Sequence, residues 1–380
     1  MIELKIAFAA VLFILFYTYC GYPVLLYLYG LIFRKQRNLD PAFQPRVTLI
    51  IPAHNEEECI EKKIRNALEL DYPQDKLEII VASDASSDST MEKAGRFSDR
   101  VKLLDFKERS GKMGVINKAV KSASGDILVL TDANAMFARY TIKELVKYFV
   151  DPSVGCVCGA KIIRNQAMDV NSTGTGESGY WRYEAFLKKA ESLSGSCVSA
   201  DGSVYAVRRS AYPFPPDDKI IMDDLAVTLM LIKKGHTCVF EPAARAFEES
   251  STRISDEFRR KTRIFAGAFS LFVNRPGVLF SRVFFKVFSH KILRWLTFVF
   301  QVALFALSYA LYADPLFRPL FGAQAIIYAC TAIGIVLNHF SIRIMIFHIP
   351  YYFNMTTFAQ VWGLAYYLKY GKRPAWEKRR

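Results

Sequence analysis

From Ile6 to Phe33 the chain runs 28 residues without a charged side chain. A helix rises 1.5 Å per residue, so about 20 apolar residues cross the hydrocarbon of a bilayer. The run therefore reads as a membrane-spanning helix. It is too long for the apolar region of a secretory leader and has no small-residue cleavage site after it. Trp295 to Ala313 and Pro319 to Ile342 repeat the pattern and are separated by a polar break at Asp314 and Pro315, which reads as a helical hairpin through the bilayer. Basic residues set the orientation. Arg34, Lys35 and Arg37 follow the first span, and Lys286, Lys291 and Arg294 precede the second, so the middle of the chain is expected on the cytoplasmic side. Ile344 to Leu368 is also uncharged but contains Pro350. One more crossing would carry Lys369, Lys372, Arg373, Lys378, Arg379 and Arg380 outward, so an interfacial or re-entrant segment is expected there, as Arg343 also favours.

The formal net charge of +14 would suit nucleic acid, but much of the excess flanks the apolar segments, where it meets anionic lipid headgroups. No nucleic-acid-binding motif accompanies it. The seven cysteines are scattered, and Cys156 and Cys158, the nearest pair, lack the spacing of a zinc knuckle or a redox C-x-x-C. They read as buried thiols of a reducing compartment.

Between the apolar ends the pattern changes. Val47 to Pro52 is a short apolar run read as a buried strand, and Ile60, Ile64, Ala67 and Leu68 keep helical spacing. Leu77 to Ala82 is a second strand. A helix from Ser89 to Phe97, a strand at Val101 to Leu104, a helix at Gly114 to Ser122 and a strand at Ile127 to Leu130 continue the alternation, which predicts a doubly wound α/β domain. The expected organisation is a membrane helix and linker over 1–45, the α/β domain over 46–267, and an interfacial segment over 268–294. The hairpin over 295–343 and the apolar segment with its basic tail over 344–380 follow. Within the interfacial segment, Val278 to Phe288 suits a helix lying on the membrane surface or a core helix equally well.

Ligands of open α/β sheets sit beyond the carboxyl ends of the strands. Here those positions are Pro52 to Glu56, Asp84, and Asp132 to Asn134. Carboxylates at the ends of neighbouring strands repel one another unless a cation stands between them. Asp132-Ala133-Asn134, read as extended chain, places a carboxylate and an amide oxygen on one side as hard ligands for Mg2+ or Mn2+. A single aspartate after a strand is more often a turn former. Three such positions together weigh against that reading.

Several motifs occur in an order that resembles the family-2 glycosyltransferases, over roughly Arg46 to Gly267. Ile51-Pro52-Ala53-His54-Asn55-Glu56-Glu57 looks like their opening donor loop, and Ser83-Asp84-Ala85-Ser86-Ser87-Asp88 looks like the segment whose aspartate holds the nucleoside. Ser110-Gly111-Lys112-Met113-Gly114 is similar to the loop with a lysine near the donor phosphates. Asp132-Ala133-Asn134 stands where the family carries D-x-D, and Ile221-Met222-Asp223-Asp224-Leu225 stands where it carries T-E-D. Tyr180 to Glu184 and Asp201-Gly202-Ser203 resemble the acceptor-side helix and loop of polysaccharide synthases. Trp181 and Tyr183 also suit plain core packing. Arg260 and Arg263 occupy the Q-x-x-R-W position, with Ile264 in place of its tryptophan.

The resemblance implies a GT-A fold, Rossmann-like, with flanking transmembrane helices, in a bacterial cytoplasmic membrane. It implies a UDP-sugar donor, Mg2+ or Mn2+ as cofactor, and a polysaccharide or lipid-linked acceptor of an envelope glycan or exopolysaccharide. Pro52, Ala53, Asn55, Glu56, Asp84, Lys112 and Asp132 fall to the donor, with Asp84 on the uracil side. Asp132 and Asn134 fall to the metal, Gly202, Arg260 and Arg263 to diphosphate and acceptor, and Asp223 and Asp224 to catalysis, with Asp224 as base. The same aspartate pair suits a helix cap. The missing tryptophan favours single transfer over a processive synthase. It also leaves open a silent nucleotide-binding subunit of a glycan export complex, against which the retention of Asp84, Asp132 and Asp224 together argues.

Overall fold

The computed structural model describes residues 1–34, 36–164, 174–216, 222–249, 254–340, 342 and 344–370. Lys35, Ile221, Arg343 and the basic tail from Lys372 onward, all used in the sequence argument, lie outside them.

Helix α1 (Ile2–Phe16) passes through a single π-helical turn, Tyr17–Gly21, into α2 (Tyr22–Ile32). The α/β domain follows in the order β1 (Val47–Ala53), α3 (Ile60–Leu68), β2 (Leu77–Asp84), α4 (Thr90–Gly95), β3 (Lys102–Phe106), α5 (Gly111–Lys121) and β4 (Ile127–Thr131). Next come β5 (Met136–Phe137), α6 (Thr141–Val146), β6 (Val154–Arg164), α7 (Gly174–Leu193), β7 (Val204–Arg208), α8 (Asp223–Lys233), β8 (Thr237–Glu249) and α9 (Ile254–Asn274). The C-terminal part holds α10 (Phe284–Val287), a π turn, α11 (Leu293–Trp295), α12 (Thr297–Ala310), α13 (Phe317–His339) and α14 (Met345–Tyr370).

The eight strands form one sheet in the order β3-β2-β1-β4-β7-β6-β8-β5. Strands β1 to β4 pair in parallel, as the alternation with helices predicts, and β7 enters antiparallel between β4 and β6. Strand β1 is buried along its whole length because both faces are covered. Ile50 packs into one apolar cluster with Leu128, Leu130 and Met113, while Leu49 and Ile51 pack into another with Ile64, Val81 and Val129. Successive side chains of a strand point to opposite faces, so the one apolar run serves both layers. Gly125 brings the turn before β4 against β1. A Cβ there would lie 2.4 Å from the Thr48 nitrogen.

Among the described residues, two helices are long and apolar enough to cross a membrane, Ile2–Ile32 and Phe317–His339. A third span arises only if Phe284–Trp295 and Thr297–Ala310, bent by 59°, count as one. The second arm of the expected hairpin corresponds to α13, and the first to α12 together with the bent helix before it. Alone, α12 is too short to cross, and the bend at Leu296 joins it to the segment expected to be interfacial.

Buried charge fastens the membrane helices to the α/β domain. His290 Nδ1 lies 2.7 Å from Glu191 Oε1, and Tyr22 donates to the same oxygen at 3.1 Å. Arg294 bonds Glu184, about two turns earlier on α7. Lone carboxylates at this depth would be costly, and the paired imidazole and guanidinium offset that cost.

Candidate active site

The loops after β1, β2 and β4 and the start of α8 converge at one end of the sheet, where the strand order reverses between β1 and β4. At their centre lies Lys112, from the first turn of α5. Its Nζ is 2.8 Å from Asp132 Oδ1 and 3.0 Å from Asp223 Oδ1. Burial by itself would lower the lysine's pKa, but Asp132 and Asp223 outweigh burial and hold it well above its ordinary value. Lys112 is thus a fixed cation.

Gly202 closes the cluster. A methyl group on it would lie 3.5 Å from Lys112 Nζ, 3.8 Å from Asp224 Oδ2 and 3.9 Å from Asp132 Oδ2. Lys112, Asp132, Gly202, Asp223 and Asp224, nominated from four separate stretches of sequence, therefore meet in one place. Asp223 is buried and accepts a hydrogen bond from Tyr205 at 2.9 Å. Asp224 is half-buried at the first turn of α8 and accepts from Gly202 N at 3.2 Å and Leu225 N at 2.8 Å. Burial, then the neighbouring Asp223, push the Asp224 carboxyl up to about 6, against the pull of Lys112. Such a group takes a proton readily near neutral pH and still points into the cleft. Capping a helix and facing the cleft are compatible here, since only one of its two oxygens bonds the helix.

Asp84 stands at a strand end, as expected, and bonds the backbone there. It is fully buried at the end of β2, and its two oxygens accept from Ser110 N at 2.7 Å and Gly111 N at 2.9 Å. It thus anchors the start of α5, where Gly111 takes a φ of +74° that glycine alone adopts freely. Asp84 thus also supports the loop that carries Lys112. Asn55, also at positive φ, accepts from Ser87 N at 2.8 Å, and Glu56 N donates to Thr90 Oγ1 at 2.8 Å. These bonds stitch the loop after β1 to the loop after β2. Pro52 and Ala53 form the buried floor where β1 ends.

A second correction concerns Asp132 to Asn134. The segment is a turn, closed by Ala135 N donating to Asp132 O at 3.2 Å, rather than extended chain. It rests on Lys63, a fully buried lysine of α3 that donates to Thr131 Oγ1 at 3.0 Å and to the Ala135 carbonyl. Burial lowers Lys63 to about 7, partly countered by Asp132. Among the described residues no group of three or more histidine, cysteine or carboxylate side chains is placed to hold a metal. Asp132 and Asn134 carry hard oxygens and would be the residues to hold a divalent ion, which would supply positive charge to a donor diphosphate.

Arg260 forks onto Glu257, with Nε 2.7 Å and Nη2 2.9 Å from its oxygens. Arg263, one turn on, is lowered by burial and by Arg260 and raised by Asp132, which places it within electrostatic reach of the cluster. Two residues not nominated from sequence belong with them. Lys188 of α7 is buried, with Nζ 3.6 Å from Asp201 Oδ2, and so joins the acceptor-side helix to the loop carrying Gly202. Lys161 of β6 pairs with Glu248 of β8. The clue was available in α7, where Glu184, Lys188 and Glu191 repeat at helical spacing, but charges so spaced on one face ordinarily mean solvent. Trp181 is half-buried between Lys161 and Lys188, while Tyr183 donates to the Tyr19 carbonyl at 2.9 Å.

The fold and the clustered acids and lysine define a GT-A glycosyltransferase domain. Residues 48–212 match the family described as Glycosyl transferase family 2. Over 205 residues the chain is 30% identical to a poly-beta-1,6-N-acetyl-D-glucosamine synthase of Staphylococcus aureus (strain COL), covering 52% of this chain and 48% of the relative. It is 27% identical over 288 residues to the probable glycosyltransferase YdaM of Bacillus subtilis (strain 168), covering 70% of this chain and 63% of that one. The chain thus spans 48% to 63% of the length of these curated relatives. The mannosyltransferase PcManGT from Pyrobaculum calidifontis, solved in complex with GDP-Man and Mn2+, superposes with a TM-score of 0.68 at 23% identity, covering 94% of this chain and 99% of that one. At that identity the likeness speaks for the fold.

Proposed function

We propose that the chain is a membrane-bound, inverting glycosyltransferase that moves a sugar from a UDP-sugar to a polysaccharide or lipid-linked acceptor, with its catalytic domain in the bacterial cytoplasm. The observation that carries the reading is the Lys112 ammonium between Asp132 and Asp223, with Asp224 beside it at Gly202. An acceptor hydroxyl is a weak nucleophile until a carboxylate takes its proton. Asp224 faces the cleft with a pKa suited to that task and serves as the base. As the nucleotide departs, its diphosphate gains charge, and Lys112 offers a preorganised ammonium to meet it, with Arg263 in electrostatic reach. Mg2+ or Mn2+ bound at Asp132 and Asn134 supplies further charge stabilisation to the leaving diphosphate. Attack from the face opposite the leaving group inverts the anomeric carbon. The likeness to the staphylococcal synthase supports an envelope or exopolysaccharide product, and Ile264 in the tryptophan position supports a single transfer.

The test uses membranes containing the full chain, a panel of UDP- and GDP-sugars, and Mg2+ or Mn2+, with nucleotide release and labelled product measured together. A single-sugar lipid product is the expected result. A high-mass polymer would show processive synthesis, and the absence of turnover with every donor would favour a silent subunit. Asp132→Ala should weaken metal-dependent nucleotide binding by at least tenfold, and Asn134→Ala by less, since a neutral amide is the weaker ligand.

A further inference from the structure

Strands β4 and β7 pair as far as Thr131 and Val204, and beyond that rung they part. On one side of the fork lies the turn that carries Asp132 and Asn134. On the other lies the loop of Gly202, whose N–H bonds Asp224 at 3.2 Å. One side chain bridges the fork. Thr131 Oγ1 lies 2.9 Å from the Ser203 carbonyl oxygen, nearer than the 3.3 Å to the carbonyl of Asp132.

Lys63 decides which way that hydroxyl points. An ammonium only donates, so Thr131 Oγ1, 3.0 Å from Lys63 Nζ, accepts from it and must give its own proton to a carbonyl. The result is a directed chain from Lys63 through Thr131 to Ser203. A second N–H of Lys63 goes to the Ala135 carbonyl, so the ammonium holds the turn at both ends, before Asp132 and after Asn134. The third is left to the Phe137 ring, whose centroid lies 4.1 Å from Nζ. One turn further along α3, Asn66 bonds Phe137 both ways, Nδ2 donating to its carbonyl at 3.0 Å and Oδ1 accepting from its N–H at 2.7 Å. Helix α3 thus grips both ends of the segment 131–137. A lysine only 1% exposed is costly to bury, and an apolar side chain of similar length would fill the space with less penalty. What an apolar side chain would not supply is the fixed direction of the Thr131 hydroxyl and the hold on the turn.

We propose that Lys63 and Thr131 are positioning residues of the transferase, which set the separation between Asp132 and the Gly202 loop, and so between the leaving diphosphate and the base. The inference rests on the glycosyltransferase reading and deepens it with two residues that act through Asp132 and Ser203.

The experiment compares the full chain in lipid nanodiscs with its Lys63→Met/Thr131→Val, Thr131→Val and Thr131→Ser variants. The readouts are melting temperature, UDP affinity with and without Mn2+, and kcat and KM for nucleotide release from the donor that the wild type turns over. The double variant loses both partners together, so it should melt close to wild type. Its kcat should fall on the order of 100-fold, and its UDP affinity should fall on the order of tenfold with Mn2+ while staying unchanged without it. Thr131→Ser keeps the hydroxyl and should retain most of the wild-type kcat, whereas Thr131→Val should lose it. A folded double variant with wild-type kcat and wild-type response to Mn2+ would overturn the proposal. So would a Thr131→Ser variant as impaired as Thr131→Val, and so would a loss of kcat that only follows a lower melting temperature, the mark of a purely structural role. If the double variant does not fold, the contrast between Thr131→Val and Thr131→Ser gives the same decision. Failure of the glycosyltransferase reading would be seen separately, as a wild type that releases no nucleotide from any donor, and the Mn2+ response of UDP binding would still report on the pair.

Discussion

Replacing Asp224 by Asn should abolish transfer and at the same time stabilise the protein at neutral pH. The carboxyl is held at about 6 against an ordinary 3.8, chiefly by burial and then by Asp223. That difference costs its ionised form on the order of 3 kcal/mol. The folded state binds the proton more tightly than the unfolded chain does, so between about pH 4 and pH 6 stability falls as pH rises, and above 6 the full cost remains. Asparagine carries no charge and its oxygen still accepts from Gly202 N or Leu225 N, so the variant should escape most of that cost. Measured in detergent or nanodiscs at pH 7.5, the variant should melt at least as high as wild type, and its melting temperature should vary less between pH 4 and pH 6. The wild-type transfer rate should rise through a limb near pH 6, because the base must be ionised. A variant that transfers at the wild-type rate would refute the assignment of the base. A variant that melts lower at pH 7.5, with wild-type pH dependence, would refute the electrostatic argument.

Gly202→Ala should fold normally, because its methyl meets Lys112, Asp224 and Asp132 only at 3.5 to 3.9 Å, ordinary contact distances. That methyl stands in the middle of the cluster, so turnover should fall on the order of 100-fold with no loss of melting temperature. Lys63→Met removes a lysine lowered to about 7, whose cost to the fold is full below pH 7 and fades as pH rises toward its ordinary 10.5. The stability gap between wild type and variant should therefore change across pH 7 to 10 in chemical denaturation. Asp84→Ala should cost about 1 to 3 kcal/mol, since it leaves Ser110 N and Gly111 N unpaired at the start of α5. It should also weaken donor binding through Lys112, and an unchanged donor KM would count against its supporting role.

Much of the fold was legible in the sequence because its signals are local. An uncharged run longer than a bilayer is thick reports a span whatever surrounds it, and apolar runs between amphipathic stretches report parallel strands with their helices. The residues after β1, β2 and β4 could be nominated because strand ends in such sheets share one edge. That Lys112 would lie within 3.0 Å of both Asp132 and Asp223 could not be read, since α8 is far along the chain from α5 and β4 and only packing sets these distances. The same holds for Asp84, whose hydrogen bonds to the backbone of Ser110 and Gly111 leave no mark in the sequence. The charges along α7 are ambiguous in sequence for a related reason. Spacing reveals which residues share a helix face, but whether that face meets water or His290 and Arg294 depends on what lies against it. The sequence by itself determined the membrane anchoring, the doubly wound domain and which residue types stand at its strand ends. Only the tertiary structure decided which carboxylates face the cleft, which accept from backbone donors, and how α14 comes to lie beside α9, because contacts between distant segments arise from packing and leave no periodicity in either segment alone.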